Sequence, residues 1–545
     1  MKNKSFVLLT LIPLMLSSCN STKVVDNKFS YDELKDEDVA THIETNGKYR
    51  NMYQIFPISF ADSDGNGKGD LQGIIDKLDY LKDLNYTGLW LCPIHKSSTS
   101  HHYDVEDYYS VAREFGTLAI FDDLVSKCHE KNMTIIIDLV INHTSNKHTW
   151  FSDSYSAAKA GYVNDVDYKK YNWVTCTGEP DPGYHKVNSS DKVAYESRFD
   201  SSMPDLNLQQ VLDDNNGDLA TELKKIFKFW LVDHNIDGFR CDAVTQYFTN
   251  EQDKNLAFMT WMASACHELK SDCYLVGEGN WSTNSAENKA YQASGFDSYF
   301  QFGNSAKNTG YVSQTVIQQN AKAMYNGLTI NRSNADGGIE APFLSNHDVP
   351  RYIGSVQARG VPANAKFAMG LFQTLAGATF TYYGDEVGMS SQSTLADGWY
   401  RLPIEWGDSY TTDVSKMSLY GVSKSSINHE MSYPFGTVAE QLADEDSLLN
   451  FVKKANRMRI LYPELARGDA ELMENPATPY AVIKRTYNNS SIYVAINASY
   501  SETWNLDYTN YGETVVHALL ARGGELTKEQ SKNVAIPPQS IVIIK

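Results

Sequence analysis

Four apolar stretches, each ending in ionisable groups, constrain this chain more than any other feature of it. Residues 238–242 read GFRCD and 134–143 read TIIIDLVINH, with Asp138, Asn142 and His143 at the far end. Residues 274–281 read YLVGEGNW and deliver Glu278 into a Gly-flanked turn, while 343–351 read FLSNHDVPR. Parallel strands look like this when they are buried on both faces and their C-terminal ends share one active face. Further strands are expected at 52–60, 88–94, 296–300 and 379–386, with the seventh running over 341–348. Helical runs at 71–84, 219–230, 256–269, 313–325 and 366–375 separate most of them. Alternating strand and helix predicts an α/β fold closed into a parallel barrel, with a last helix over 447–466.

The strand ends carry a recognisable chemistry. Arg240 and Asp242 are two residues apart and share one face of a strand. A neighbouring guanidinium favours the ionised carboxylate, which suits a nucleophile. Glu278 leaves an apolar strand beside Trp281, where a carboxyl can keep its proton near neutrality. One anionic and one protonated carboxyl are what retaining glycosidic cleavage requires, the second acting as acid and then base. Asp348 is a third carboxylate at such an end. Taken alone, Arg240 and Asp242 would read as a structural ion pair.

In this order, the four stretches resemble the signature regions of the α-amylase family of glycoside hydrolases (family 13). A fifth, Met203-Pro204-Asp205-Leu206-Asn207, is similar to the MPDLN segment of a subgroup intermediate between oligo-1,6-glucosidases and neopullulanases. That subgroup includes bacterial α-amylases, some of them lipoproteins. The resemblance covers nearly all of the chain after about residue 48. It implies a TIM (β/α)8 barrel with a domain B inserted after strand 3 and a C-terminal antiparallel β-sandwich. It assigns Asp242 as nucleophile, Glu278 as acid/base and Asp348 as the group that grips and distorts the sugar. Tyr103, His101, Asp104, His143, Arg240, His347 and Arg351 match substrate-binding positions, though Arg351 also reads as a structural ion-pair partner.

The activity implied is a retaining, endo-acting α-amylase on α-1,4 bonds of starch, glycogen or maltooligosaccharides. Ala243 leans the same way, since relatives selective for α-1,6 bonds often have Val there. The alternatives are an exo-acting α-glucosidase, oligo-1,6-glucosidase or transglycosylase on the same scaffold, and a catalytically dead sugar-binding protein. The last is disfavoured because all three carboxylates are present. Two departures stand out. Ser100 replaces a frequent Tyr, and Thr245 and Gln246 replace a Lys-His pair that in many α-amylases serves a sugar subsite and an interdomain calcium. Asn142 and Asp205 match other ligands of that calcium.

The domain plan follows in chain order. Residues 1–18 read as a lipoprotein signal peptide: Lys2 and Lys4, an apolar run, then Leu16-Ser17-Ser18-Cys19, a lipobox with Cys19 as the lipidated residue. Residues 19–47 are a polar tether, 48–142 the first part of the barrel, 143–204 domain B, 205–468 the rest of the barrel and 469–545 the C-terminal β domain. The excursion 143–204 is rich in Asp, Gly, Ser and Tyr and shows no helical periodicity. Strands are expected at 480–487, 491–497, 514–520 and 540–545.

After the first strand comes Asp62-Ser63-Asp64-Gly65-Asn66-Gly67-Lys68-Gly69-Asp70. Its alternating carboxylates and amide on a Gly-rich loop suit Ca²⁺, with no Glu placed to make it an EF-hand. The family resemblance adds the Lys68 carbonyl to the ligand set. The competing reading is a turn capped by its own side chains. His101 and His102 could also bind metal, but adjacent histidines point apart.

A net charge of −19 argues against nucleic acid as a partner; the family resemblance implies an α-glucan. Cys92, Cys128 and Cys241 read as small buried residues, whereas spacing leaves a Cys266–Cys273 pairing open. The leader and lipobox place the protein on a bacterial membrane, outside the cytoplasm.

Overall fold

The computed structural model describes residues 47–279, 285–304, 310–355, 361–476, 478–530 and 532–545. The signal peptide, nearly all of the tether, Cys19 and Trp281 lie outside the described residues. Eight parallel strands form the central sheet: β1 Asn51–Ile55, β2 Gly88–Leu91, β3 Thr134–Leu139, β4 Gly238–Cys241, β5 Tyr274–Gly277, β6 Ser298–Gln301, β7 Ile339–Pro342 and β8 Thr379–Tyr382. Their order is β7-β6-β5-β4-β3-β2-β1-β8. A parallel bridge from Phe343 to Phe380 joins the two ends into a barrel.

Period-two alternation sorts the strand residues. Met52, Trp90, Ile136, Val276, Phe300 and Phe380 fill the interior, while Tyr53, Leu89, Leu91, Ile135, Ile137 and Phe239 face the helices. Asp138 stands opposite Arg240, and Ile136 opposite Gly238. The two charges therefore occupy the inner layer above the apolar one. Gly238 is required by close approach, since a Cβ there would lie 1.9 Å from the Tyr274 carbonyl oxygen.

Several expectations on element bounds are corrected. The strands stop sooner than their apolar runs; β1 ends before Pro57, which opens a 3₁₀ turn, Pro57–Ser59. The helix expected over 71–84 is two, Leu71–Asp76 and Leu78–Asp83, broken at Lys77. The run over 313–325 also splits, into Tyr311–Ile317 and Lys322–Ala335, with Gln319 between them at φ +53°. A left-handed residue cannot continue a helix.

The 143–204 excursion does contain a helix, Thr149–Ala160, capped by His148 and ended by left-handed Gly161. A small antiparallel sheet of Trp173–Thr175, Tyr184–His185 and Val193–Glu196 accompanies it. Antiparallel bridges His143–Asp205 and Tyr171–Leu206 draw in its base.

The C-terminal part packs a five-stranded antiparallel sheet against a three-stranded one. Strands Asp469–Glu474, Trp504–Asp507, Thr527–Gln530 and Asn533–Ile536 add to the four expected from sequence. Val482, Ala495, Trp504, Val534 and Val542 fill the space between the sheets. The neighbours Ile483, Val494, Ile541 and Ile543 turn the other way, onto barrel helices through Leu371 and Phe451. Cys266 and Cys273 are both buried and unbonded, and no described helix is long and apolar enough to cross a membrane.

Candidate active site

The sheet ladder sets the candidate carboxylates. Asp242 N–H donates to the Leu139 carbonyl at 3.1 Å and Glu278 N–H to the Cys241 carbonyl at 2.9 Å. Each acid thus sits one residue past its strand, at the C-terminal mouth. Ala243 follows at φ +49°, a left-handed conformation that costs a non-glycine residue on the order of 1–3 kcal/mol. That turn aims the Ala243 N–H at Glu278 Oε2, 2.8 Å away.

Arg240, only 1% exposed, links the site. Its Nη1 lies 2.5 Å from Asp138 Oδ1 and 2.6 Å from Asp242 Oδ1, and its Nη2 lies 3.3 Å from Glu278 Oε2. Asp138 also accepts from Trp90 Nε1 at 2.9 Å and from the Tyr103 hydroxyl at 3.4 Å. Tyr103 stacks on His347 with centroids 5.4 Å apart and planes 8° apart. Gln54 Nε2 donates to His347 Nδ1 at 2.8 Å, so the ring proton of the neutral imidazole sits on Nε2 and faces Asp348 Oδ2 at 3.0 Å.

Electrostatics separate the acids. Burial pushes Glu278 up to about 8, and Asp242 and Asp348 add to the effect while Arg240 opposes it. Burial also raises Asp138, to about 7. Burial alone would raise Asp348, but His347, Arg401 and Arg240 hold its carboxyl below the usual range. Burial keeps the His347 ring neutral, its pKa lowered to about 3, and lowers that of His143 as well. One carboxyl that holds its proton near neutrality faces an Arg-paired carboxylate, the division of labour that acid-assisted glycosidic cleavage uses.

Tyr103, Arg240, His347 and Asp348 are thus joined to the two acids in one contact network. His143 stands at the edge, 3% exposed, with its Nε2 lacking a protein partner. His101 Nδ1 accepts from the Tyr103 N–H at 3.1 Å, whereas His102 Nδ1 faces the His95 carbonyl at 3.0 Å. The adjacent rings diverge as expected.

Two expected members stand apart. Asp104 Oδ1 accepts from the hydroxyls of Ser97 and Thr99 within its own loop. Arg351 is buried, pairs with Asp385 at 3.2 Å and packs over Tyr382, 4.0 Å from the ring centroid. These contacts are those of a structural ion-pair partner, the alternative the sequence also allows. The cation that does meet Asp348 is Arg401, with Nη2 3.0 Å from Oδ1 and Nε donating to the His347 carbonyl at 2.9 Å. Sequence reading missed it. Its one signal is a charge inside the apolar run GWYRLPIEW, which fits a buried ion pair.

The loop after β1 gathers one carboxylate oxygen each from Asp62, Asp64 and Asp70 within 4.8 Å of one another. Those carboxylates also cap the loop: Gly65 and Gly67 donate to Asp62 at 2.8 and 2.7 Å, and Ser63 N–H donates to Asp70 at 2.9 Å. The Asn66 side-chain oxygen accepts from Lys68 N–H. This all-oxygen, hard donor set suits Ca²⁺, and each carboxylate keeps spare lone pairs. A separate groove of about 710 Å³ runs between the excursion and the barrel, lined by Trp173, Tyr184, Gln246, Tyr247 and Phe248 among others.

Comparison with known proteins gives consistent matches. The family model described as "Alpha amylase, catalytic domain" matches residues 54–468. Alpha-amylase 3 of Dictyoglomus thermophilum is 32% identical over 509 residues, covering 91% of this chain and 93% of its own. Probable oligo-1,6-glucosidase 3 of Bacillus subtilis is 32% identical over 513 residues, covering 82% and 89%. Among solved structures, Eubacterium rectale Amy13B superposes with a TM-score of 0.81 at 32% identity, covering 91% of this chain and 95% of that one. The α-amylase from H. orenii superposes at 0.75 with 29% identity, covering 91% and 99%.

Proposed function

The chain belongs to the α-amylase family of glycoside hydrolases (family 13), and from that premise we propose that it is a retaining, endo-acting α-amylase on α-1,4-linked glucans. The observation that carries the retaining mechanism is the single guanidinium of Arg240, in contact with both Asp242 and Glu278. Two carboxyls held on one guanidinium lie near each other, in keeping with the short separation, about 5–5.5 Å, that retaining enzymes use. Asp242 attacks the anomeric carbon while Glu278 gives its proton to the leaving oxygen. The glycosidic C–O bond breaks as the Asp242–carbon bond forms. Glu278, now anionic, takes a proton from water as that water displaces Asp242 and restores both groups. Asp348, aligned by His347 and Arg401, accepts from the sugar's hydroxyls.

Endo action is supported by Ala243 and by the likeness to Alpha-amylase 3. An exo-acting glucosidase is the second reading, favoured by the equal identity to the probable oligo-1,6-glucosidase. Timed product analysis decides between them. The endo enzyme releases mixed maltooligosaccharides from soluble starch early, and its kcat/KM rises with chain length. Glucose as the sole early product, with maltose or isomaltose cleaved faster than long chains, rejects it.

Two further parts of the reading concern the chain outside the catalytic mouth. Asp62, Asp64, Asn66, the Lys68 carbonyl and Asp70 are proposed to hold a structural Ca²⁺, which pins the loop after β1. Chelation is then expected to lower the melting temperature, with added Ca²⁺ restoring it. A melting curve indifferent to both chelator and Asp64→Ala identifies a self-capped turn instead. Cys19 is proposed as a lipid anchor on the outer side of a bacterial membrane, on the strength of Leu16-Ser17-Ser18-Cys19. Cys19→Ala should leave the membrane fraction or remain unprocessed; unchanged fractionation counts against the anchor.

A further inference from the structure

Gln54 interrupts an apolar strand, and the catalytic assignment gives it no task. It follows Met52 by two residues in β1, so its side chain shares the barrel's inner face, and it is 1% exposed. A buried amide costs free energy unless it finds hydrogen-bond partners. The backbone beneath it is held on both sides, opposite Trp90 of β2 and Tyr382 of β8. From that fixed base, Nε2 lies 2.8 Å from His347 Nδ1 and 3.2 Å from Cys92 Sγ, one acceptor for each amide hydrogen.

His347 does not need Gln54 to keep its place. Tyr103 stacks on its ring, Phe56 lies nearly parallel with centroids 6.4 Å apart, and Trp90 meets it edge-on at 5.9 Å. Packing of this kind fixes where the ring lies and is blind to which nitrogen carries the proton. The far nitrogen, Nε2, is 2.5 Å from the Tyr103 hydroxyl and 3.0 Å from Asp348 Oδ2. An ionised carboxylate only accepts, so Nε2 has to donate. The Tyr103 hydroxyl can accept from it as well and still donate to Asp138 Oδ2 at 3.4 Å. In a neutral ring this leaves Nδ1 a bare acceptor, which a donor amide satisfies. A carboxylate in place of the amide would draw the proton to Nδ1 and turn a lone pair on Asp348. An apolar side chain would leave Nδ1 unpaired and both tautomers open.

We propose that Gln54 is a positioning residue: by donating to Nδ1 it holds the His347 proton on Nε2, and through that proton it holds Asp348 in line for the sugar. The proposal rests on the glucan-hydrolase reading above, in which Asp348 accepts from the sugar's hydroxyls, and adds the group that sets the proton Asp348 depends on.

Two variants test it on soluble starch, each compared at matched folded fraction by near-UV circular dichroism. Gln54→Met keeps the length and loses the donor. Its kcat should fall about tenfold, the scale of one hydrogen bond in the transition state, and KM should change less, because sugars outside the pocket are bound as before. Gln54→Glu has a sign in pH. The charged and titratable groups facing His347 are Asp348, Arg401, Arg240 and His101, and this variant adds a second carboxylate. At low pH the new carboxyl and Nδ1 share one proton while Nε2 keeps its own. As pH rises that shared proton leaves, two carboxylates compete for the single ring proton, and a fraction of the molecules lose Nε2–H. The ratio of variant to unmodified kcat should therefore fall with rising pH, whereas a residue that only packs gives a flat ratio. Added to Asp348→Asn, Gln54→Met should cost little more, since no carboxylate is left to be held. Unchanged kcat in Gln54→Met, or a flat ratio in Gln54→Glu, overturns the assignment. The reading beneath it fails separately, through near-normal turnover by Asp348→Asn alone, and the pH ratio still decides the role of Gln54.

Discussion

Replacing Glu278 with Gln is expected to lower kcat on soluble starch by about 10²- to 10⁴-fold while the protein stays folded, the usual cost of losing a general acid. Its side chain is 20% exposed at the mouth, so the isosteric amide fits without a cavity. The pH profile should change as well. Burial, reinforced by Asp242 and Asp348, raises the Glu278 pKa to about 8. Only the protonated form can donate to the leaving oxygen, so the activity of the unmodified enzyme should fall as pH rises through about 8. The Gln variant cannot lose that proton, and its residual activity should show no such limb. A substrate whose leaving group needs no protonation, such as a dinitrophenyl glycoside, should recover most of the first step. If Glu278→Gln kept near-normal turnover on starch, or retained the alkaline limb, Glu278 would not be the acid.

The carboxylates were legible because each follows a buried apolar run. A run of Ile, Val and Phe that stops at Asp or Glu delivers a charge to the rim of a core, where only a partner or a substrate makes it tolerable. Their shared contact with Arg240 comes from the structure: the parallel ladder sets Asp138 opposite Arg240 on the inner face, a register no single strand announces. Arg401 was hidden for a topological reason. It arrives on the long loop after β8, 53 residues beyond the Asp348 it pairs with, and no periodicity links the two. Arg351 drew the assignment through the family resemblance, yet its guanidinium packs against Tyr382 and Tyr383 and pairs with Asp385. The helix Thr149–Ala160 escaped because it buries only Phe151, Ser154, Ala157 and Ala158; one large apolar residue in twelve makes no visible stripe. The breaks at Lys77 and Gln319 likewise lack a Gly or Pro to announce them.

Arg240→Met should cost both activity and stability, and the stability loss should depend on pH. Three carboxylates meet this guanidinium, with side-chain exposures of 0% for Asp138, 10% for Asp242 and 20% for Glu278. Removing one partner of a buried ion cluster leaves uncompensated charge and costs about 3–5 kcal/mol. Burial raises both Asp138 and Glu278, and Arg240 is the leading influence that opposes it, so without Arg240 both pKa values rise further. A carboxyl whose folded pKa lies above its unfolded one keeps a proton that the unfolded chain has released. Its burial therefore subtracts stability as pH rises from the ordinary carboxylate range through the folded value, about 7 for Asp138 and about 8 for Glu278, and subtracts nothing below that range. In Arg240→Met the window extends upward. The deficit against the unmodified protein should thus be largest at pH 8–9 and shrink toward pH 5 as the acids take up protons. Arg240→Lys restores the charge, but a single ammonium cannot span three carboxylates in the guanidinium's planar geometry, so it should recover part of the stability and little of the rate. Thermal unfolding of both variants across that range is the measurement. A deficit equal at pH 5 and pH 8 would mean that Arg240 contributes packing over Trp90, whose ring centroid is 5.3 Å away, more than the charge that holds the acids together.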